Sequence, residues 1–122
     1  MKILVQAITI AAILGRWQGE SICTKAPGNG ACHDEHVRYD FVAKDKDTVT
    51  NHAYKLVDGK YESMGDLDFT FNAAKQEWSS KFHTGRGDAI WSYKIDDDRM
   101  KAVLVVAPDT LVRNVTARRV RH

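Results

Sequence analysis

The chain has 122 residues, of which 43% are hydrophobic and 28% are charged. This length fits one domain, and the composition is that of an ordinary globular protein, which excludes disordered and fibrous classes. The formal net charge is only +2, from 18 basic against 16 acidic residues. Nucleic-acid-binding domains normally carry a clear basic surplus, so we expect no nucleic-acid partner.

The chain opens like a secretory leader. Lys2 precedes an apolar run over residues 3–14, and Ala11 ends a small-x-small cleavage pattern. The run is shorter than the ~20 apolar residues that span a bilayer, so no transmembrane anchor is expected. We assign 1–14 as a signal peptide or, alternatively, as an apolar extension of the first strand, and 15–122 as a single β-barrel domain. Export would place the protein in the periplasm or outside the cell.

The two cysteines, Cys23 and Cys32, flank a segment rich in turn residues. Residues 27–30 (Pro-Gly-Asn-Gly) combine a fixed φ with positions that tolerate positive φ, so they favour a chain reversal. Such a reversal would bring the cysteines within disulfide distance, and the bond would stabilise the fold by ~2–3 kcal/mol. Their spacing matches no common zinc site. We predict a disulfide bond, which agrees with export.

The remaining chain is divided by turn signals at regular intervals. Asp58-Gly59, between two alternating segments, is one of the strongest short hairpin signals. Short strands with turns every ~8–14 residues indicate an antiparallel sandwich or barrel. The predicted strands are 16–24, 35–44, 48–57, 60–71, 75–83, 88–96, 99–107 and 110–121.

Aromatic residues recur on one face of these strands. Side chains alternate between the two faces of a strand, so residues of equal parity lie on the same side. An aromatic face opposite a charged face suits a sheet that wraps around a common interior. The matched groups are Tyr39 with Phe41, Tyr61 with Phe69 and Phe71, Trp78 with Phe82, and Trp91 with Tyr93.

Eight consecutive hairpin-linked strands leave two exposed edges unless the first and last strands pair. Closure into an up-and-down barrel removes both edges. Gly19 and Gly65 lie inside predicted strands, where glycine commonly marks a bend or bulge that lets a sheet curl. We therefore predict an all-β, eight-stranded antiparallel up-and-down β-barrel, with a two-sheet sandwich as the competing architecture.

The triplet at residues 15–17 (Gly-Arg-Trp) resembles the Gly-x-Trp opening of the calycin barrels, which include the lipocalins and avidins. The wider segments 15–23 and 32–37 are similar to small exported bacterial lipocalin-like proteins. The resemblance implies a lipocalin/avidin-like barrel in which Trp17 packs across the closed end, against an arginine from a late strand. The biotin-contacting residues of avidins have no match, so biotin binding is not implied. The candidate arginines are Arg118, Arg119 and Arg121.

Residues 33–36 (His-Asp-Glu-His) carry imidazole and carboxylate groups that suit a metal ion. Neighbouring side chains on a strand point in opposite directions, so this segment alone cannot supply four ligands to one ion. We interpret it as the polar start of a strand and predict no metal and no cofactor. The chain has no Gly-x-Ser-x-Gly, Walker or HExxH motif, and we predict no catalytic residue and no enzymatic activity.

The aromatic interior favours non-catalytic binding of a small hydrophobic or amphipathic ligand, because ligand pockets are mostly apolar with a few orienting polar groups. Eight-stranded barrels can instead be filled by their own side chains. The alternative function is that of an exported protein-binding barrel, such as a protease inhibitor whose N-terminal segment enters the protease. The oligomeric state is left open. The candidate ligand-contacting residues are Trp17, Tyr39, Phe41, Tyr54, Phe69, Trp78, Trp91 and Tyr93.

Overall fold

A computed structural model describes residues 10–24, 33–85, 87–107 and 110–121. Its strands are all antiparallel and close into one barrel in the order of the sequence, with the first strand paired to the last. The predicted up-and-down barrel is confirmed, and the sandwich is excluded. The strands are β1 (Gly15–Cys23), β2 (Glu35–Asp45), β3 (Thr48–Val57), β4 (Lys60–Asn72), β5 (Glu77–Thr84), β6 (Gly87–Asp96), β7 (Arg99–Val106) and β8 (Thr110–Arg119).

Turn chemistry sets the strand ends. Asp58 and Gly59 have φ of 51° and 81°, the pair of positive angles that a two-residue hairpin turn needs to match the twist of its strands. Asp97, with φ of 58°, reverses the chain between β6 and β7 in the same way. Because these residues carry the turn signal in the sequence, every predicted strand boundary lies within two residues of the observed one.

The barrel has two different ends. At one of them, residues 10–13 form a helical turn beside the β2–β3, β4–β5 and β6–β7 turns, and we call this the closed end. Ile13 is fully buried there, and Ile10 and Leu14 pack against the core. We call the opposite end, where β1 finishes and β2 starts, the open end.

Gly19 lies where β1 and β8 approach each other most closely. A Cβ atom added to Gly19 would lie 1.9 Å from the backbone oxygen of Thr116. Real Cβ atoms do not come this close to another backbone, so only glycine fits without movement of the strands. Both ladders of β1 run through Gly19 without a register shift, so of the two glycines predicted to mark a bend or bulge, Gly65 is the one that lies at a bulge.

A bulge in β4 reverses which side chains of residues 60–63 point into the barrel. Ala53 pairs with Gly65 and Tyr54 pairs with Ser63, so Met64 is an extra residue in the ladder. Gly65 adopts φ of 105°, which favours glycine. Parity is not conserved across a bulge, and the prediction that Tyr61 shares a face with Phe69 and Phe71 was therefore wrong.

The wall of the barrel is incomplete between β4 and β5. Their ladder ends, on the side of the open end, at the pair Thr70–Ser79. Beyond this pair, residues 60–69 of β4 and 80–84 of β5 are not paired with each other. We call this opening the β4–β5 gap.

Several predictions concern residues outside the described part of the chain. Residues 1–9 and Cys32 are among these, so the signal peptide and the disulfide bond stay predictions. Within the described residues, no helix is long and apolar enough to span a membrane.

Candidate functional site

Aromatic rings fill the half of the interior next to the closed end. Phe41, Phe69 and Trp78 are at most 2% exposed. Phe69 stands edge-to-face with Phe41 and Tyr93, at centroid distances of 6.0 and 4.8 Å. This arrangement adds a favourable quadrupole term to the burial of apolar surface, so this half is a packed core.

Trp17 covers this core at the closed end of the barrel. Its indole Nε1 donates a 2.9 Å hydrogen bond to the carbonyl oxygen of Ile13, and the Arg119 guanidinium lies 4.4 Å from its ring centroid. Arg119 also donates to the carbonyl oxygens of Leu14, at 2.7 Å, and of Ala12. Of the three arginines that the resemblance left open, Arg119 is the one that packs on the tryptophan, and it ties residues 12–14 to the last strand.

The other half of the interior contains a cavity of about 320 Å³. This volume lies at the small end of the ~300–1,000 Å³ range of small-molecule pockets. Residues 64–67 of β4 form one side of the cavity, and Tyr39, Phe82, Trp91 and Tyr93 contribute aromatic surface.

The cavity reaches the outside through the β4–β5 gap. Asp66 belongs to its lining, yet its carboxylate lies 2.7 Å from Nδ1 of His52, a residue on the outer face of β3. Met64, in the bulge, is 43% exposed and also lines the cavity. The bulge and the missing β4–β5 pairs therefore give a small molecule a route to the interior.

A chain of hydrogen bonds links three buried side chains at the cavity. Asn51 is hydrogen-bonded to Tyr93, and Tyr93 is hydrogen-bonded to Tyr39. Burial raises the pKa of Tyr39 to about 12, partly offset by the bond from Tyr93. Burial raises the pKa of Tyr93 well above its ordinary value, and the neighbouring Tyr39 adds to this shift. Both tyrosines are therefore neutral hydroxyls around pH 7.

Asn51 leaves one polar atom unpaired. Its side chain is 2% exposed, and its Oδ1 has no hydrogen-bond partner among the described residues. A buried carbonyl without a partner costs roughly 1–3 kcal/mol of folding free energy. Asn51 is also one of the residues that line the cavity, so this buried acceptor lies close to the space that a ligand would take.

Ionic side chains face inward near the open end. Glu35 lies 3.6 Å from Nη1 of Arg113 and 3.9 Å from Nζ of Lys55, and Arg113 donates a 3.0 Å hydrogen bond to Ser21. Glu35, from the His-Asp-Glu-His segment, is thus part of an interior ion-pair cluster. Within the described ranges, no group of three or more His, Cys, Asp or Glu side chains is placed to hold a metal ion.

The eight candidate ligand-contacting residues fall into three places. Tyr39, Trp91 and Tyr93 line the cavity, and their contact with a ligand stays a prediction. A second group lies in the packed core, away from the cavity lining, and one residue lies on the outer surface. The second group is Trp17, Phe41, Phe69 and Trp78, and the outer residue is Tyr54.

Tyr54 was wrongly placed in the interior. The inward residues of β3 are Val49, Asn51 and Ala53, so Tyr54 faces outward. The Arg38 guanidinium lies 4.2 Å from its ring centroid. Aromatic character alone does not place a residue inside the barrel; Tyr54 shares its parity with the outward residue His52.

Seven of the ten residues that line the cavity were not predicted, and Asn51 is the buried polar residue among them. Its position two residues from both Val49 and Ala53 gives it the parity of the inward face. A polar amide in phase with buried apolar residues was the available signal.

No protein-family model and no curated protein sequence matches this chain. Solved structures with a similar fold include a redesigned beta barrel, with 14% sequence identity, a TM-score of 0.66, and 93% of this chain and 96% of that chain covered. A mutant of the fluorescent protein UnaG has 10% identity and a TM-score of 0.63 over 93% of this chain and 99% of its own. Rv2717c from M. tuberculosis has 14% identity and a TM-score of 0.65 over 95% and 98%. At these identities the likeness shows the fold alone, a small β-barrel.

Proposed function

We propose that the protein binds a small amphipathic ligand in the open half of its barrel and catalyses no reaction on it. The observation that carries this proposal is the cavity of about 320 Å³, which combines aromatic surfaces with one buried, unpaired acceptor, Asn51 Oδ1. Small-molecule pockets typically have this composition, with apolar walls and a few polar groups that fix orientation.

The packing of the closed half limits the size of the ligand. The side chains of Phe41, Phe69 and Trp78 fill the interior between the cavity and the closed end. A ligand with a long chain that extends through the barrel would therefore not fit. A ligand of one or two rings, or a short branched chain, suits the available volume.

Binding is favoured over catalysis by the state of the cavity tyrosines. Burial raises the pKa of both Tyr39 and Tyr93 above 10.0, whereas an efficient general base has a pKa near the working pH. Both hydroxyls are therefore suited to hydrogen bonding rather than to proton abstraction.

We also propose that the protein is exported and that Cys23 forms a disulfide bond with Cys32. The apolar run behind Lys2 and the turn-rich segment between the cysteines support this. Cleavage after Ala11 would keep Ala12, whose carbonyl oxygen Arg119 binds, together with Ile13 and Leu14. N-terminal sequencing and thiol labelling of the secreted or periplasmic protein test both points; a mature chain that begins at Met1, or two reactive thiols, would contradict them.

The inhibitor function receives less support. Arg119 and Trp17 hold residues 12–14 against the barrel, whereas insertion into a protease would require this segment to project. We therefore prefer the cavity to the N-terminal segment as the functional site.

Tryptophan fluorescence tests the proposed ligand binding. Among the three tryptophans, Trp91 lines the cavity, whereas Trp17 and Trp78 lie in the packed core. Titration with small apolar and amphipathic compounds and with hydrophobic dyes should change the emission and raise the Tm. The spectral response should be lost in Trp91→Phe and retained in Trp78→Phe. Flat emission and an unchanged Tm across the whole panel would refute the proposal.

A further inference from the structure

We infer that Asn51 makes the cavity selective for apolar ligands that carry a hydrogen-bond donor, namely a hydroxyl or N–H group. This inference rests on the proposed ligand-binding function and assigns its ligand class. Its basis is the meeting of two features at one residue, which lines the cavity and holds a buried acceptor without a partner.

The hydrogen bond to Tyr93 sets the orientation of the Asn51 amide. The amide nitrogen donates to the Tyr93 hydroxyl, which directs the nitrogen toward the tyrosine pair and leaves Oδ1 as the unpaired end. An amide oxygen has two lone pairs and no proton, so it can only accept. A ligand therefore satisfies this atom only by donating to it.

Carboxylates are a poor match for the same position. An ionised carboxylate has acceptors only, and it would place negative charge next to the negative end of the Asn51 carbonyl in a water-poor setting. The inward cations Lys55 and Arg113 do not offset this, since both already lie beside Glu35. A neutral hydroxyl or N–H group carries no such penalty.

Indole and benzofuran form a matched pair of probes for this selectivity. They have nearly the same size and shape, but indole has an N–H donor where benzofuran has an acceptor oxygen. One hydrogen bond to a buried acceptor corresponds to roughly a tenfold difference in Kd. Calorimetric titration of the purified protein should therefore show about tenfold tighter binding of indole than of benzofuran. In the same way, 1-naphthol should bind more tightly than naphthalene.

Asn51→Leu tests whether the preference originates at this residue. Leucine has a similar volume and no acceptor, so the variant should bind benzofuran and indole about equally. Tyr54→Phe, a change on the outer face of β3, is the matched control and should keep the wild-type preference. If Asn51→Leu does not fold, equal binding of indole and benzofuran by the wild-type protein would still refute the inference.

The outcomes separate this inference from the proposed function. Equal binding of both members of each pair by the wild-type protein would refute the role of Asn51 while leaving ligand binding intact. A preference that survives in Asn51→Leu would also refute it, since another group would then accept the hydrogen bond. Absence of binding by all four probes and by the hydrophobic dyes would refute the proposed function itself.

Discussion

Inward and outward side chains alternate in both halves of the barrel, but the closed half forms a packed core and the open half contains a cavity. In the closed half the inward positions carry large rings and a buried methionine, Met100, which interlock. In the open half they include small or polar side chains such as Ser21, Asn51 and Ala53. Alternation decides which residues face inward, but side-chain size decides whether the interior becomes a core or a cavity.

This division has an energetic consequence. Large buried rings contribute most of the apolar burial, so the closed half should supply most of the folding free energy. The open half contains an unpaired acceptor and a cavity, both of which reduce stability. The proposed binding site thus depends on a core that lies next to it and does not line the cavity.

Trp17→Ala should have the largest effect on stability. It removes a fully buried ring together with its contacts to Arg119 and Ile13, and such truncations cost about 3–5 kcal/mol. Trp91→Ala is the matched change in the open half and should cost clearly less, because Trp91 is only partly buried. Urea unfolding of both variants gives the comparison, and equal losses would mean that stability is not concentrated in the closed half.

The tyrosine pair between the two halves should make the fold sensitive to alkali. The pKa of Tyr39 is raised from 10.0 to about 12, so the folded state keeps a proton that the unfolded chain releases. This contribution is complete below pH 10 and is lost as the pH rises toward 12, by about 2–3 kcal/mol. Free energies of unfolding measured from pH 8 to 12 should fall less steeply for Tyr39→Phe than for the wild type. An identical slope in the two proteins would contradict the shift.

Gly19→Ala should test how tightly the barrel closes between β1 and β8. The new Cβ would overlap the backbone of Thr116, and forcing the strands apart should cost about 1–3 kcal/mol. Gly85→Ala is the control, since nothing lies within 4 Å of its added Cβ. Thermal melts should show a lower Tm for the first variant only; similar values for both would mean that the strands accommodate the methyl group.

The smallest expected effect is a loosening of the closed end in acid. The hydrogen bond from Arg121, followed by the charges of Arg121 and Arg119, lowers the pKa of Asp98. The lowered pKa of Asp98 stabilises the fold when the pH is above 3.8, the ordinary pKa of this carboxyl group. This stabilisation is lost as the pH falls through the lower pKa of the folded state. The protection factors of the amides in residues 12–17, which correct for the intrinsic pH dependence of exchange, should therefore fall at low pH, and Asp98→Asn should reproduce part of this effect at pH 7. A loss of protection at the open end alone would contradict the assignment.

The strand layout and the barrel closure could be predicted because their signals are local. Asp58 and Gly59 specify a turn wherever they occur between alternating segments, and Trp17 belongs to a short recognisable triplet. The choice of Arg119 over Arg118 could not be made in this way. It depends on the register between β1 and β8, which pairs Trp17 with Arg119 only once the barrel has closed.

The cavity could not be predicted because it depends on a departure from regular pairing. The extra residue Met64 reverses the facing of Tyr61, and the divergence of β4 from β5 opens the space beside Phe82. Neither strand shows this in its own alternation. Asn51 is different, since its parity alone placed a polar amide on the inward face.

The β4–β5 gap also changes the mechanics of the barrel. A closed tube resists twisting because shear passes around its whole circumference, and in a β-barrel the hydrogen bonds between strands transmit that shear. Where residues 60–69 and 80–84 are unpaired, the tube is slit along part of its length, and shear cannot pass across the slit. Torsional motion should therefore be concentrated at the open end, with the ladder between Thr70 and Ser79 as its pivot. We therefore expect the barrel to be stiff where it is packed and pliable beside the proposed ligand cavity.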